Sequence, residues 1–299
     1  MMRIANAPCS WGILEFDREN DAAEAGQMLD EMQATGYAGT ELGDWGFLPT
    51  EPAVLADALR RRDLALLGAF VPVALTEPGA YAAGEEAAVR TARLLSAVAG
   101  DSPFIVLADD SGDNPVRSRN AGRIQPEHGL SNSAWQGFAD RAERIARAVR
   151  DASGLRTVFH PHCATYVETP AEIDALMAMT DPDLLGLCFD TGHYRYGGGD
   201  PVEGLTKYGR RIWHLHFKDC SPEVAARARE EEWPYVEAIR HGLFCELGQG
   251  DVDFPALAGT LDEQGYDGWI VVEQDVLPGM GTPRASAQRN RDYLRKIGL

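Results

Sequence analysis

The sequence predicts an eight-stranded (β/α)8 barrel, the TIM-barrel architecture, formed by one domain over residues 1–299. Strand-like and helix-like stretches alternate from end to end, as repeated βα units do. Four of the strand-like stretches run straight into a residue able to bind a metal: His160 in TVFHPH, Asp190 in LCFDTGH, His216 in IWHLHFKD and Glu273 in IVVEQD. In a barrel the C-terminal strand ends point into one bowl, so residues distant in sequence meet there. The length of 299 residues fits one such unit, since these barrels fill about 250 residues or more.

Strand patterns fall near 3–7, 38–42, 64–70, 103–108, 155–160, 184–190, 212–217 and 268–273, rich in β-branched and apolar residues. Helical patterns fall near 21–35, 52–62, 82–99, 133–152, 170–179, 201–208, 254–264 and 283–296. Thr50 and Pro52 open the second helix, Ser131 or Ser133 the fourth, and Thr169-Pro170 followed by Glu172 the fifth. Two connections exceed plain βα loops. Residues 109–131 are polar and rich in Gly, Pro and Asn, and residues 219–252 carry the charged run ARAREEEW. Both leave the C-terminal face, where barrel enzymes build lids and pocket walls. Within the second, ELGQGDVDF reads as a tight turn, because it lacks the preceding strand and following Lys-Ser/Thr of a phosphate-cradling loop.

Composition narrows the function classes. Hydrophobic residues make up 44% and charged residues 25%, the balance of a folded globular chain rather than a disordered one. A net charge of −18 opposes phosphate backbones and anionic lipid, which disfavours nucleic acid and membrane surfaces as partners. No apolar run reaches the ~20 residues that span a bilayer. MMRIANAPCSWG has none of the apolar core of a signal peptide. The five cysteines are odd in number and scattered without CxxC spacing, as for free thiols in a reducing cytoplasm. The oligomeric state stays open, a homo-oligomer included.

The histidines are not scattered. Five of the seven lie between 160 and 216. In WHLHFKD the alternation puts His214, His216 and Lys218 on one strand face, with His216 nearest the tip and Lys218 suited to polarising a carbonyl. Asp190 stops the sixth strand, and a carboxylate there needs a cation or donors to leave water. Asp-Thr-Gly is also turn chemistry. His193 follows within reach as ligand, donor or base. HPHCATYVET offers His160 as ligand, His162 as a substrate or outer-shell group, and Glu168, which either reaches back to the metal or begins the next helix. Glu273 closes a buried strand. Glu41 in GTELGDWG has the same strand-tip placement and suits a base or a hydroxyl contact.

Two imidazoles and two carboxylates in one bowl make a mixed nitrogen and oxygen site for a divalent ion, Mn²⁺ first, with Co²⁺, Zn²⁺ or Mg²⁺ as alternatives. The set GTELG, HPHxxTYVET, LCFDTGH, WHLHFKD, ELGQGDVDF and GWIVVEQD resembles the inosose dehydratase group of the xylose-isomerase-like barrels, a superfamily that also holds sugar-phosphate isomerases and 3-epimerases. The resemblance runs from NAPCSWG to the last strand and implies His160, Asp190, His216 and Glu273 as the ligands. It implies a small polyhydroxylated ketone such as a keto-inositol as substrate, with dehydration as the reaction. Sugar or sugar-phosphate isomerisation or epimerisation is the alternative, and a non-catalytic binding barrel a lesser one. Glu273, His162, His193 and Glu41 are the acid/base candidates, with Lys218 as electrostatic aid.

The chain departs from its relatives in places. Many carry Glu where His160 stands, Gly where Ala164 stands, and a Lys after the third strand where this chain reads GAF. The superfamily's three-metal DNA-repair endonuclease is a poor match, because its additional ligands lack counterparts near Phe244 to Glu246 and the charge is wrong for DNA.

Overall fold

The computed structural model describes residues 2–12, 22–100, 102–110, 114–277 and 280–299. Residue 21 of the first helical stretch and residues 111–113 of the first long connection lie outside the described residues. In chain order the strands are β1 (Arg3–Asn6), β2 (Gly39–Thr40), β3 (Ala65–Leu66), β4 (Gly68–Val73), β5 (Phe104–Asp109), β6 (Arg156–Phe159), β7 (Leu185–Asp190), β8 (Ile212–Phe217), β9 (Asp219–Cys220), β10 (Phe244–Cys245) and β11 (Trp269–Val272). Nine of them form a parallel sheet in the order β3-β2-β1-β11-β8-β7-β6-β5-β4, while β9 and β10 pair antiparallel apart from it.

The two ends of that sheet are halves of one chain run, broken at Leu67. Its N–H donates to Thr40 O at 3.0 Å, and its carbonyl accepts from Phe104 N–H at 2.9 Å. The sheet therefore closes into a barrel of eight strand runs, each where the sequence predicts it, with only the third split. Closure removes exposed edges and buries both faces of the strands, which is why β7 can be LGLCFD with every residue buried.

Helices alternate with the strands: α1 (Ala22–Thr35), α2 (Pro52–Arg60), α3 (Tyr81–Val98), α4 (Pro115–Asn120), α5 (Asn132–Ser153), α6 (Pro170–Met179), α7 (Thr191–Tyr196), α8 (Pro201–Tyr208), α9 (Pro222–Glu230), α10 (Tyr235–Arg240), α11 (Phe254–Glu263) and α12 (Pro283–Lys296). Ser131 caps α5, and Thr169 with Glu172 forms the capping box of α6, as the sequence predicts. For α2 the cap is Glu51 rather than Thr50, because the Glu51 carboxylate accepts from Val54 N–H at 2.8 Å. The main core fills the space between strands and helices, with α5 contributing Trp135, Phe138, Ala142, Ile145 and Val149 on one face.

The two long connections are more ordered than plain loops. Residues 109–131 carry α4, and residues 219–252 carry β9, α9, α10 and β10. These short elements escape periodicity analysis, although their caps are present: Asn114 accepts from Val116 and Arg117 N–H, and Ser221 from Val224 N–H. The connections are tied to each other by Arg123, which donates to Ala228 O at 2.9 Å, and by Arg229, which donates to Gly122 O at 3.0 Å. Between them lies a separate small apolar core of Ala121, Ala225, Tyr235, Ile239, Leu243 and Phe244 with their neighbours. ELGQGD is a turn, as expected. The Asp219 carboxylate accepts N–H bonds from Cys220, Gly248, Gly250 and Val252 there, and a Cβ on Gly250 would sit 2.2 Å from it.

Candidate metal centre and active site

Backbone bonds of the barrel hold the strand-end residues in place. His160 N–H donates to Leu107 O at 2.7 Å, and Glu273 N–H donates to Phe217 O at 3.0 Å. Asp190 pairs in register with His216 across β7 and β8. As a result, donor atoms of His160, Asp190, His216 and Glu273 all lie within 4.8 Å of one another. His160 Nε2 stands 3.9 Å from Asp190 Oδ2, which is 3.8 Å from His216 Nδ1; the latter is 3.2 Å from Glu273 Oε1. The barrel thus brings together the four residues that the sequence singles out.

Asp190 satisfies both readings open in the sequence. Its Oδ1 accepts from His193 N–H at 2.8 Å and so caps α7, a short helix that the Asp-Thr-Gly turn signal conceals. Its Oδ2 is buried with no hydrogen-bond partner, and so are His160 Nδ1 and His216 Nδ1. Buried polar atoms left unpaired are costly. Two imidazoles and two carboxylates facing one point suit a divalent ion that accepts nitrogen and oxygen together. The residues present therefore fit a metal.

Lys218 lies just beyond β8. Its Nζ is 3.1 Å from Glu273 Oε2, 3.3 Å from Asp275 Oδ1 and 3.4 Å from His193 Nε2. Its stem passes so close under α7 that a Cβ on Gly192 would meet Lys218 Cγ at 2.7 Å. Burial opposes its charge, but Asp275, Glu273 and Asp190 outweigh that and hold its pKa well above the usual lysine range. Burial likewise works against a charged His216, yet Cys188, Glu273 and Glu41 raise it well above the ordinary histidine value. His160 goes the other way, lowered by burial and then by the neighbouring His216. Burial pushes Asp190 up to about 6.

His162 and His193 form one wall, their ring centroids 4.0 Å apart and the rings tilted by 43°. Both are anchored on Cys163. Its backbone N–H donates to His193 Nδ1 at 3.2 Å, and its carbonyl lies 2.8 Å from His162 Nδ1. The network thereby assigns opposite tautomers, with His193 protonated on Nε2 and His162 on Nδ1. Burial, then Lys218, lowers His162 to about 4. Glu41 is buried and turned to His214 and His216. The pocket over these groups is also lined by Asp44, Phe70, Tyr235 and Asp275, which sequence reasoning missed. Asp275 carried a signal, since it shares Glu273's alternation in VVEQD; Tyr235, on a short helix of the second insertion, carried none.

Glu168 neither reaches the ligand cluster nor starts α6. Its two oxygens accept from Gly122 N–H at 2.6 Å and Ala164 N–H at 2.8 Å, which ties the first insertion to the loop after β6. In that loop Ala164 sits at φ 71° and Val167 at φ 69°. The left-handed backbone at Ala164 is the conformation that glycine takes at least cost. Burial pushes the Glu168 carboxyl up to about 7 against the pull of its backbone donors and Arg117. A folded value above the ordinary 4.5 means that this group's contribution to stability is complete below about 4.5, falls as pH rises, and levels off above about 7. The span is about 3 kcal/mol at most. In urea titrations across this window, Glu168→Gln should flatten the wild-type decline; an unchanged slope discards the assignment.

The family comparison agrees with the barrel. The model of the xylose isomerase-like TIM barrel family matches residues 29–297. The chain belongs to this family. It is 31% identical over 297 residues to an inosose dehydratase of Geobacillus kaustophilus, covering 99% of this chain and 94% of the relative. Solved structures share the fold at lower identity. The probable 3-DHS dehydratase AsbF of Bacillus anthracis superimposes with a TM-score of 0.71 at 15% identity, covering 99% of each chain. The IOLI protein, solved with a bound zinc atom, gives 0.71 at 16% identity over 99% of this chain and 98% of that one. No helix among the described residues is long and apolar enough to cross a membrane.

Proposed function

We propose that this barrel dehydrates a keto-inositol or a closely similar polyhydroxylated ketone, using one divalent ion. The observation that carries the reading is the convergence of His160, Asp190, His216 and Glu273 at strand ends, in a chain matched end to end by relatives named inosose dehydratase. These four residues would hold the ion, Mn²⁺ first, with Co²⁺ or Zn²⁺ also suited to two imidazoles. The ion supplies Lewis-acid stabilisation of the negative charge that develops on the ketone oxygen when the neighbouring C–H is deprotonated.

The chain's own groups do the rest. Lys218 adds a fixed positive charge beside the same oxygen. His162, protonated on Nδ1, presents Nε2 as an acceptor for the α-proton, and the β-hydroxyl, held by a hydrogen bond from His193 Nε2–H, leaves as water with the proton that His162 has taken up. The second insertion contributes Tyr235 to the pocket wall. Free cysteines support a cytoplasmic setting. Among the described residues that line the pocket, Lys218 is the lone Lys or Arg, which favours a substrate without phosphate.

Isomerases and epimerases use the same proton abstraction, so the reaction itself must be watched. Metal-loaded protein incubated with a keto-inositol in D₂O should give a product lighter by one water, with the ultraviolet absorbance of an enol-dione. Deuterium uptake without loss of water would replace dehydration by isomerisation or epimerisation.

A further inference from the structure

Glu41 and His214 stand outside the ligand cluster, yet they are among the most completely enclosed polar groups near it. Glu41 is 3% exposed and His214 is 2% exposed. One oxygen of Glu41, Oε1, lies 2.6 Å from His214 Nε2 and 3.0 Å from His216 Nε2. A carboxylate oxygen only accepts, so both imidazoles carry their proton on Nε2.

The consequence falls on the other side of the His216 ring. With Nε2–H committed to Glu41, Nδ1 is the nitrogen turned to Asp190 and Glu273, and it has no hydrogen-bond partner there. His214 in turn keeps Glu41 from swinging away, since it holds the same oxygen from two residues back on β8.

We infer that Glu41 is a positioning residue, which with His214 fixes the tautomer and ring angle of His216 so that Nδ1 binds the ion. This rests on the metal reading above and gives Glu41 a different role from proton transfer. It also explains why β8 carries two inward histidines where one ligand would do.

The test measures Co²⁺ binding by absorption and calorimetry, together with ¹⁵N-histidine NMR of the Zn²⁺-loaded wild-type protein. Glu41→Gln keeps the shape and removes the charge, and should weaken Co²⁺ binding about 10- to 100-fold, as removal of outer partners of a ligand histidine does. His214→Gln should weaken it less, and the double variant should match Glu41→Gln alone. The NMR, which needs no variant, should show His216 protonated on Nε2 and metal-bound through Nδ1. Wild-type affinity in Glu41→Gln, or a His216 bound through Nε2, overturns the inference while leaving the metal site intact. Absence of Co²⁺ binding by the wild-type protein overturns the metal reading itself, and this inference with it.

Discussion

Asp190→Asn and His216→Ala are each expected to leave a folded barrel that takes up no stoichiometric divalent ion and turns substrate over about a thousand-fold more slowly or worse. That factor corresponds to about 4 kcal/mol of lost transition-state stabilisation, a modest share of what a Lewis-acid ion supplies. Asn is chosen at 190 because Asp190 has two tasks. Its Oδ1 caps α7 through His193 N–H, and an Asn side chain keeps that bond while giving up the charge on Oδ2. His216→Ala removes the ring that bridges Glu41 and the ligand cluster. Metal content by mass spectrometry and a circular dichroism melt separate loss of the ion from loss of the fold. Full activity in either variant, with or without bound metal, would sink the ligand assignment.

Arg117→Ala is expected to be the most destabilising single change outside the barrel, by about 3–5 kcal/mol. Arg117 is fully buried. Its guanidinium makes a two-pronged pair with Glu172 at 2.8 and 2.9 Å and donates to Thr165 O at 2.8 Å. Glu172 is also the capping-box residue of α6, accepting from Thr169 N–H. Truncation leaves a mostly buried carboxylate without its cation, holding only the backbone N–H groups of Glu168 and Thr169 and the Thr169 hydroxyl. Arg117→Lys should recover little, because an ammonium cannot fork to both oxygens and reach Thr165 as well. Equilibrium urea unfolding gives the number, and a loss below about 1 kcal/mol, the size of an exposed pair, would show that the network carries little.

Much of this molecule is legible in its sequence, for a physical reason. A closed parallel barrel buries both faces of each strand, so its strands are short apolar runs, and a polar residue at a run's end stands out. His160, Asp190, His216 and Glu273 are visible on that ground. Asp190's helix is not, since six residues are too few for a period to show. Arg117 lies in a stretch that reads as polar loop, and its burial depends on Glu172, 55 residues away. Nothing local announces such a pair. Glu41 is visible as a strand-end acid, but its task is set by two histidines on a strand that meets it only when the barrel closes.

The wall over the bowl has its own apolar core, built chiefly from the second insertion with Ala121, Cys163 and Tyr196, and distinct from the core beneath the barrel helices. Substitutions within that wall act on the rim that a substrate touches, through Tyr235 and its neighbours, while the strand ends keep their register. Such a division makes the rim replaceable. Descendants of this chain acquire new substrates most readily by exchanging residues 219–252 together with their contacts at Gly122 and Arg123, while the strand-end residues are inherited unchanged.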